Sequence, residues 1–265
     1  MLHRDRRRSL SRPDGFTIFE VALALFLIGL LFGGIAVPLQ TQIDIRKIEE
    51  TEQLLAEARE ALIGYAAAHG YLPCPADGTS AGLEPEDSDH VTGKCPAYYG
   101  FLPAAALGFR RSDGYGYAAD ARGGAANRIR YAVSNQAIGS AANANALTRT
   151  GGMRNATIAN LSDSALSLFH VCDRAYGVSP GASCGSAGTL VSSAPAVIWS
   201  SGPNAATGGT SSDEAQNPNP NGGSADRVFV SRSRSTVPGS EFDDLVAWIP
   251  MPVLVARMVA AGQLP

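Results

Sequence analysis

From Phe16 to Leu39 the chain is almost unbrokenly apolar, and Glu20 is the only charged residue in that stretch. The run exceeds the ~20 residues a helix needs to span a bilayer. A carboxylate at membrane depth costs about 2.5–3.5 kcal/mol, so Glu20 in this setting requires a partner. Ahead of the run, Met1 to Gly15 carries five arginines and two aspartates, and Gly15 immediately precedes Phe16. A basic head, a glycine and an apolar helix with one early acid therefore follow one another in fixed order. Two ordinary readings compete. One is a secretory signal peptide, with small residues at Gly34 and Ala36 for cleavage. The other is a plain single-span anchor. Neither accounts for a glutamate inside the apolar run, nor for a helical pattern that continues beyond it.

On Gly15, Phe16 and Glu20 the chain resembles the type IV prepilin family, which includes the pseudopilins of type II secretion. The family's signal is a short basic leader ending in glycine, then usually phenylalanine, then an apolar helix with glutamate as its fifth mature residue. The resemblance implies cleavage between Gly15 and Phe16 by a prepilin peptidase and N-methylation of Phe16. It also implies that Glu20 pairs with the N-terminal amine of a neighbouring subunit during filament assembly. Cleavage would create a cation at the edge of the apolar phase, where a carboxylate neutralises it under weak screening.

Removal of the first 15 of 265 residues leaves 250, enough for a long helix and one sizeable domain. It also takes the net charge from −3 to −6, because five arginines leave with only two aspartates. A mildly acidic body argues against nucleic acid as a partner. The basic leader places the remainder on the far side of the membrane by the positive-inside bias. With the resemblance, this implies the bacterial inner membrane, single-pass with a periplasmic head, and then a pilus or pseudopilus. The four cysteines, Cys74, Cys95, Cys172 and Cys184, would meet an oxidising compartment and form two disulfides. Three connectivities exist. Loop entropy favours the local ones, Cys74–Cys95 and Cys172–Cys184.

Only Pro38 breaks the pattern strongly between Phe16 and Gly70, and a proline there can kink a helix without ending it. Ile45, Ile48, Leu55, Ala58, Leu62 and Tyr65 recur at helical spacing, and Gly70 is a C-terminal stop signal. A continuous helix from Phe16 to His69 would be roughly 80 Å long. The expected organisation is a leader over 1–15, a transmembrane and assembly helix over 16–39, its amphipathic continuation over 40–70, and a β-rich, disulfide-containing head over 71–265. Within the head, Ala76–Lys94 reads as an acidic surface loop tied at its base by Cys74 and Cys95. Residues 128–134, 194–200, 227–231 and 242–249 read as strands or strand-like segments, 165–172 as a strand or helix, and 250–262 as a short helix. Residues 202–225 form a long polar loop.

Candidate chemistry is sparse. Gly181-Ala182-Ser183-Cys184-Gly185 matches the nucleophile-elbow spelling, but no histidine follows it, so it reads as a glycine-rich disulfide loop. The four histidines make no metal spacing. Asp243 and Asp244, just ahead of Trp248, resemble the C-terminal region of some pseudopilins. In the major pseudopilins a loop there binds calcium through carboxylates and carbonyls. The acids here are scattered over a longer loop, so calcium is a possible ligand with Asp243 and Asp244 as its first candidates, and no other cofactor is expected.

The expectation is an α+β, pilin-like fold: a long N-terminal helix, half membrane-spanning and half amphipathic, packed on an antiparallel sheet. The implied role is structural, not enzymatic. The chain would be a minor pilin or pseudopilin, because a large loop-rich head suits a low-copy subunit. Its partners would be a prepilin peptidase, other pilin or pseudopilin subunits, and the inner membrane before assembly. A pilus-borne adhesin or DNA-uptake subunit is the alternative, and an extracytoplasmic membrane-anchored hydrolase comes third.

Overall fold

A computed structural model describes residues 15–109, 112–138, 141–154, 168–179, 183–209, 211–218 and 226–265, with the side chains of 31–39 and 141 outside that description. The chain separates into two compact units, Met1–Arg46 and Lys47–Pro265.

Helix α1 runs from Ile18 to His69, 52 residues, through both units. It starts on a capping box: Thr17 Oγ1 accepts from the Glu20 N–H at 3.3 Å, and the Glu20 carboxylate accepts from the Thr17 N–H at 3.0 Å. It stops at Gly70, whose φ of 82° is the left-handed conformation glycine takes without strain. There the Gly70 N–H closes on the Ala66 carbonyl at 2.8 Å, as in an αL cap.

Among the described residues no helix is long and apolar enough to cross a membrane. This corrects the expectation of a single-pass inner-membrane protein with a membrane-spanning half-helix. The described apolar run of α1 carries a charge, Glu20, in its first turn. The α1 residues that follow it beyond position 40 are strongly polar.

The second unit is α+β and is built in layers. Strands β1 (Tyr99–Phe101), β2 (Arg130–Val133), β5 (Ala196–Ser200) and β7 (Leu245–Ile249) form a fully antiparallel sheet in that order. Period-two alternation sends Tyr131, Val133, Ala196, Ile198 and Ile249 to one face. There they pack against Leu54, Leu55, Ala58, Leu62, Ile63 and Ala66 of α1. The same core takes in Met251, Leu254 and Met258 of the C-terminal helix α3 (Met251–Ala260). Ala132, Val197 and Trp199 face the other way and meet Phe169, Val171 and Phe229. Those residues belong to a second sheet in the order β4 (Thr189–Ala194), β3 (Phe169–Cys172), β6 (Val228–Val230). In it β3 is antiparallel to β4 and parallel to β6. The chain passes from one sheet to the other at Pro195, and β5, covered on both faces, is buried along its whole length.

On α1 the buried stripe begins at Thr51, whose Oγ1 donates to the Lys47 carbonyl at 2.7 Å and accepts from the Ala121 N–H at 3.3 Å. Ile45, expected on the packed face, is exposed because it precedes the unit that supplies a core. Residues 202–218 are not one irregular loop, since a five-residue helix α2 (Ser212–Gln216) lies within them, capped by Ser211.

Candidate functional site

Three places carry chemistry. At the start of α1, Phe16 is 87% exposed and Ile18 91%. Glu20 is solvent-exposed rather than buried in the single chain. Its Oε2 accepts from both the backbone N–H and the hydroxyl of Thr17, each at 3.0 Å. The Thr-x-x-Glu spelling was readable in the sequence and gives Glu20 a local role that the resemblance alone does not reveal. Gly15 meets nothing within 4 Å of where a Cβ would stand.

The second place is an acid cluster in the head. Glu214 on α2 and the adjacent Asp243 and Asp244 before β7 bring carboxylate oxygens within 4.8 Å of one another. Glu214 and Asp244 are buried, and Asp243 is partly so. Two docking contacts create the cluster. Asn217, just after α2, uses its side-chain amide as a strand would: it accepts from the Val230 N–H at 2.8 Å and donates to the Val230 carbonyl at 3.0 Å. Gly202, at φ +62°, allows close approach from the other side, since a Cβ there would lie 2.0 Å from Asp243 Oδ1.

The oxygens of the cluster are unevenly satisfied. Glu214 Oε1 accepts from the Asp243 N–H at 2.9 Å and Oε2 from Asn204 Nδ2 at 3.0 Å. Asp244 Oδ2 accepts from Asn217 Nδ2 at 2.8 Å. Asp243 Oδ1 is buried without a hydrogen-bond partner among the described residues, and within that set none of the three acids forms an ion pair. The electrostatic consequence is large. Burial, then the Glu214 charge, pushes Asp243 up to about 6, and burial holds Asp244 well above the ordinary carboxylate range. Such a cluster must hold protons or a cation, and an all-oxygen donor set suits a hard divalent ion. In the sequence Glu214 is one of the scattered acids (with Asp213 and Asp226) and is not singled out as a ligand, because it lies 29 residues from Asp243 and α2 gives no periodic signal long enough to read.

The third place surrounds the first disulfide. Both bridges close locally, Cys74–Cys95 and Cys172–Cys184. Cys74, Glu84 and His90 lie together, but the Cys74 sulfur is committed to its disulfide and cannot serve as a thiolate ligand. Glu84 and His90 instead form a hydrogen-bonded pair at 2.8 Å.

Of the elbow-like motif, Gly181 and Ala182 lie outside the described residues. Ser183 accepts from the Gly185 N–H at 3.3 Å, and its backbone pairs with Ser179. With Cys184 oxidised, this is a disulfide loop. Comparison with protein-family models, with curated proteins and with solved structures finds no match to this chain.

Proposed function

We propose that this chain is a structural filament subunit of the type IV pilin and pseudopilin class, matured by a prepilin peptidase at Gly15–Phe16 and assembled through α1. The observation that carries this reading is the contrast along α1. Leu54, Leu55, Ala58, Leu62, Ile63 and Ala66 are buried in the head core, whereas Phe16, Ile18, Phe19, Leu25, Phe26 and Leu30 stand 61–91% exposed. A helix apolar on all sides needs cover, and the equivalent helices of neighbouring subunits would supply it without a ligand or an active site. The pilin-like arrangement, one long helix against an antiparallel sheet, suits that role, and the loop-rich head suits a minor, low-copy subunit. The test is maturation. Gly15→Ala should leave full-length precursor on a gel when the chain is co-produced with a prepilin peptidase. Normal processing of that variant would overturn the reading.

A second reading concerns the acid cluster. Glu214, Asp243 and Asp244 would hold a hard divalent cation such as calcium, supported by the orphaned Asp243 Oδ1. Bound there, the ion would neutralise the three carboxylates and fix α2 to the turn before β7. Calorimetric titration of calcium into chelator-treated protein, with Asp244→Asn as control, tests it. No heat of binding at millimolar calcium would remove it.

A further inference from the structure

His90 sits between two groups that can only accept hydrogen bonds. Its Nδ1 lies 2.8 Å from the Thr148 carbonyl oxygen and its Nε2 2.8 Å from Glu84 Oε2. A neutral imidazole carries one N–H and one lone pair, so in this position it would aim a lone pair at an oxygen. With Glu84 ionised, only the doubly protonated ring satisfies both contacts. Glu84 has no freedom to adapt, because Oε1 already accepts from the Tyr65 hydroxyl at 2.8 Å and Oε2 from the Cys74 N–H at 2.7 Å. The ring is stacked on Tyr71 with centroids 4.2 Å apart.

The contact joins segments far apart in the chain. His90 lies in the loop closed by Cys74–Cys95, Thr148 belongs to residues 145–150, and Tyr65 is on α1. Next to it, the Thr150 N–H donates to the His90 carbonyl at 2.9 Å, and the Thr148 hydroxyl donates to the Gly93 carbonyl. We propose that the Glu84–His90 pair is a pH-sensitive clasp that holds the disulfide-closed loop on residues 145–150 and releases it when the imidazole loses its charge. Val91, the next residue, is 84% exposed, so the clasp governs how a prominent apolar side chain is presented.

The ionisable groups around the ring are Glu84 and Asp89 of its own loop, Tyr65 and His69 of α1, and Tyr71. Arg149 of the facing segment is committed to Asn143. Burial opposes the imidazolium, but the Glu84 carboxylate and the Thr148 carbonyl outweigh it and raise His90 above its ordinary 6.5. Burial also works against the Glu84 anion, yet His90, the Cys74 N–H and Tyr65 lower it below its ordinary 4.5 overall. The His90 contribution is thus complete below 6.5 and lost as pH rises through the higher closed-state value. The Glu84 contribution is complete above 4.5 and lost as pH falls through its lower closed-state value. The clasp is tightest between these limits.

The test uses the full-length, disulfide-intact chain. NMR of the His90 ring should show both nitrogens protonated at pH 6 and titration above 6.5. Hydrogen exchange across residues 86–95, corrected for intrinsic rates, should lose protection by about tenfold for each unit of raised pKa once the ring is neutral. Glu84→Gln should bring the imidazole back toward its ordinary value, and His90→Gln should abolish the pH dependence. A wild-type imidazole titrating at or below 6.5 would overturn the clasp whether or not the variants fold. So would unchanged pH dependence in His90→Gln.

Discussion

Asp243→Asn should stabilise this protein at neutral pH in the absence of divalent cations. The substitution keeps the shape of the side chain and removes one of three clustered ionisable carboxyls. Asp243 is raised from an ordinary 3.8 to about 6, so ionising it in the folded state is unfavourable. The full shift of roughly two units would correspond to about 3 kcal/mol. Asp243 is only half-buried and solvent screens its open side, so about 1 kcal/mol is the expected gain. For an acid raised on folding, the wild type suffers no penalty below the unfolded value near 3.8. The penalty grows as pH climbs through about 6 and is constant above it. The advantage of the variant should therefore be absent near pH 4 and complete by pH 7.5.

Urea or thermal unfolding of the oxidised chain in chelator reads this directly, with a shift in Tm of about 2–4 °C per kcal/mol for a domain of this size. Calcium should reverse the ranking, because a bound ion at a hundredfold excess over its Kd adds about 2.7 kcal/mol to the wild type. Equal stability of the two proteins in chelator at pH 7.5 would refute the electrostatic account. An advantage identical at pH 4 and pH 7.5 would show that it arises from packing and not from charge.

Replacing Cys172 and Cys184 by serine should cost about 3 kcal/mol of stability from a loop of 12 residues, and replacing Cys74 and Cys95, which close 21, slightly more, both read from urea midpoints. Leu62→Ala removes a fully buried α1 side chain from the helix–sheet core and should cost 2–5 kcal/mol, measured by chemical denaturation; a cost below about 1 kcal/mol would mean that α1 is not packed there. Gly202→Ala adds a Cβ 2.0 Å from Asp243 Oδ1 at a φ of +62°, so it should strain the turn and displace the acid; calorimetry should then show calcium binding weakened at least tenfold, and unaltered binding would separate Asp243 from the ion.

Much of the second unit was legible because burial writes itself into the sequence as period or as run. Ala196–Ser200 is apolar on both faces, as a central strand must be, and Leu55, Ala58 and Leu62 recur at helical spacing. Illegible elements were those that depend on neighbours distant in the chain. Thr189–Ala194 is an edge strand with Leu190 half-exposed, so its pattern does not alternate cleanly. Helix α2 has five residues and is held by Asn217 against β6, a contact no local pattern encodes. The same holds at the acid cluster: Asp243 and Asp244 were visible as adjacent acids, while Glu214 joins them only through tertiary packing. The apolar helix failed in another way, since composition registered its hydrophobicity without fixing how much of it forms a span.

In the proposed subunit, a local device and an assembly contact would share the Glu20 side chain. The capping box satisfies two groups of Thr17, and both bonds fall on Oε2. Among the described residues Oε1 accepts nothing, and with the carboxylate exposed a second subunit could reach it. Cleavage after Gly15 would place the new amine at Phe16, next to the residue that caps the helix. Capping holds the carboxylate at the first turn of α1, where the helix dipole also favours a negative charge. A preset carboxylate loses less side-chain freedom on meeting a cation than a loose one does. Thr17 thus becomes part of any assembly role of Glu20: Thr17→Val, which removes the hydroxyl at nearly constant volume, should weaken subunit assembly without impairing leader cleavage. Assembly at the wild-type level in that variant would confine the box to starting the helix.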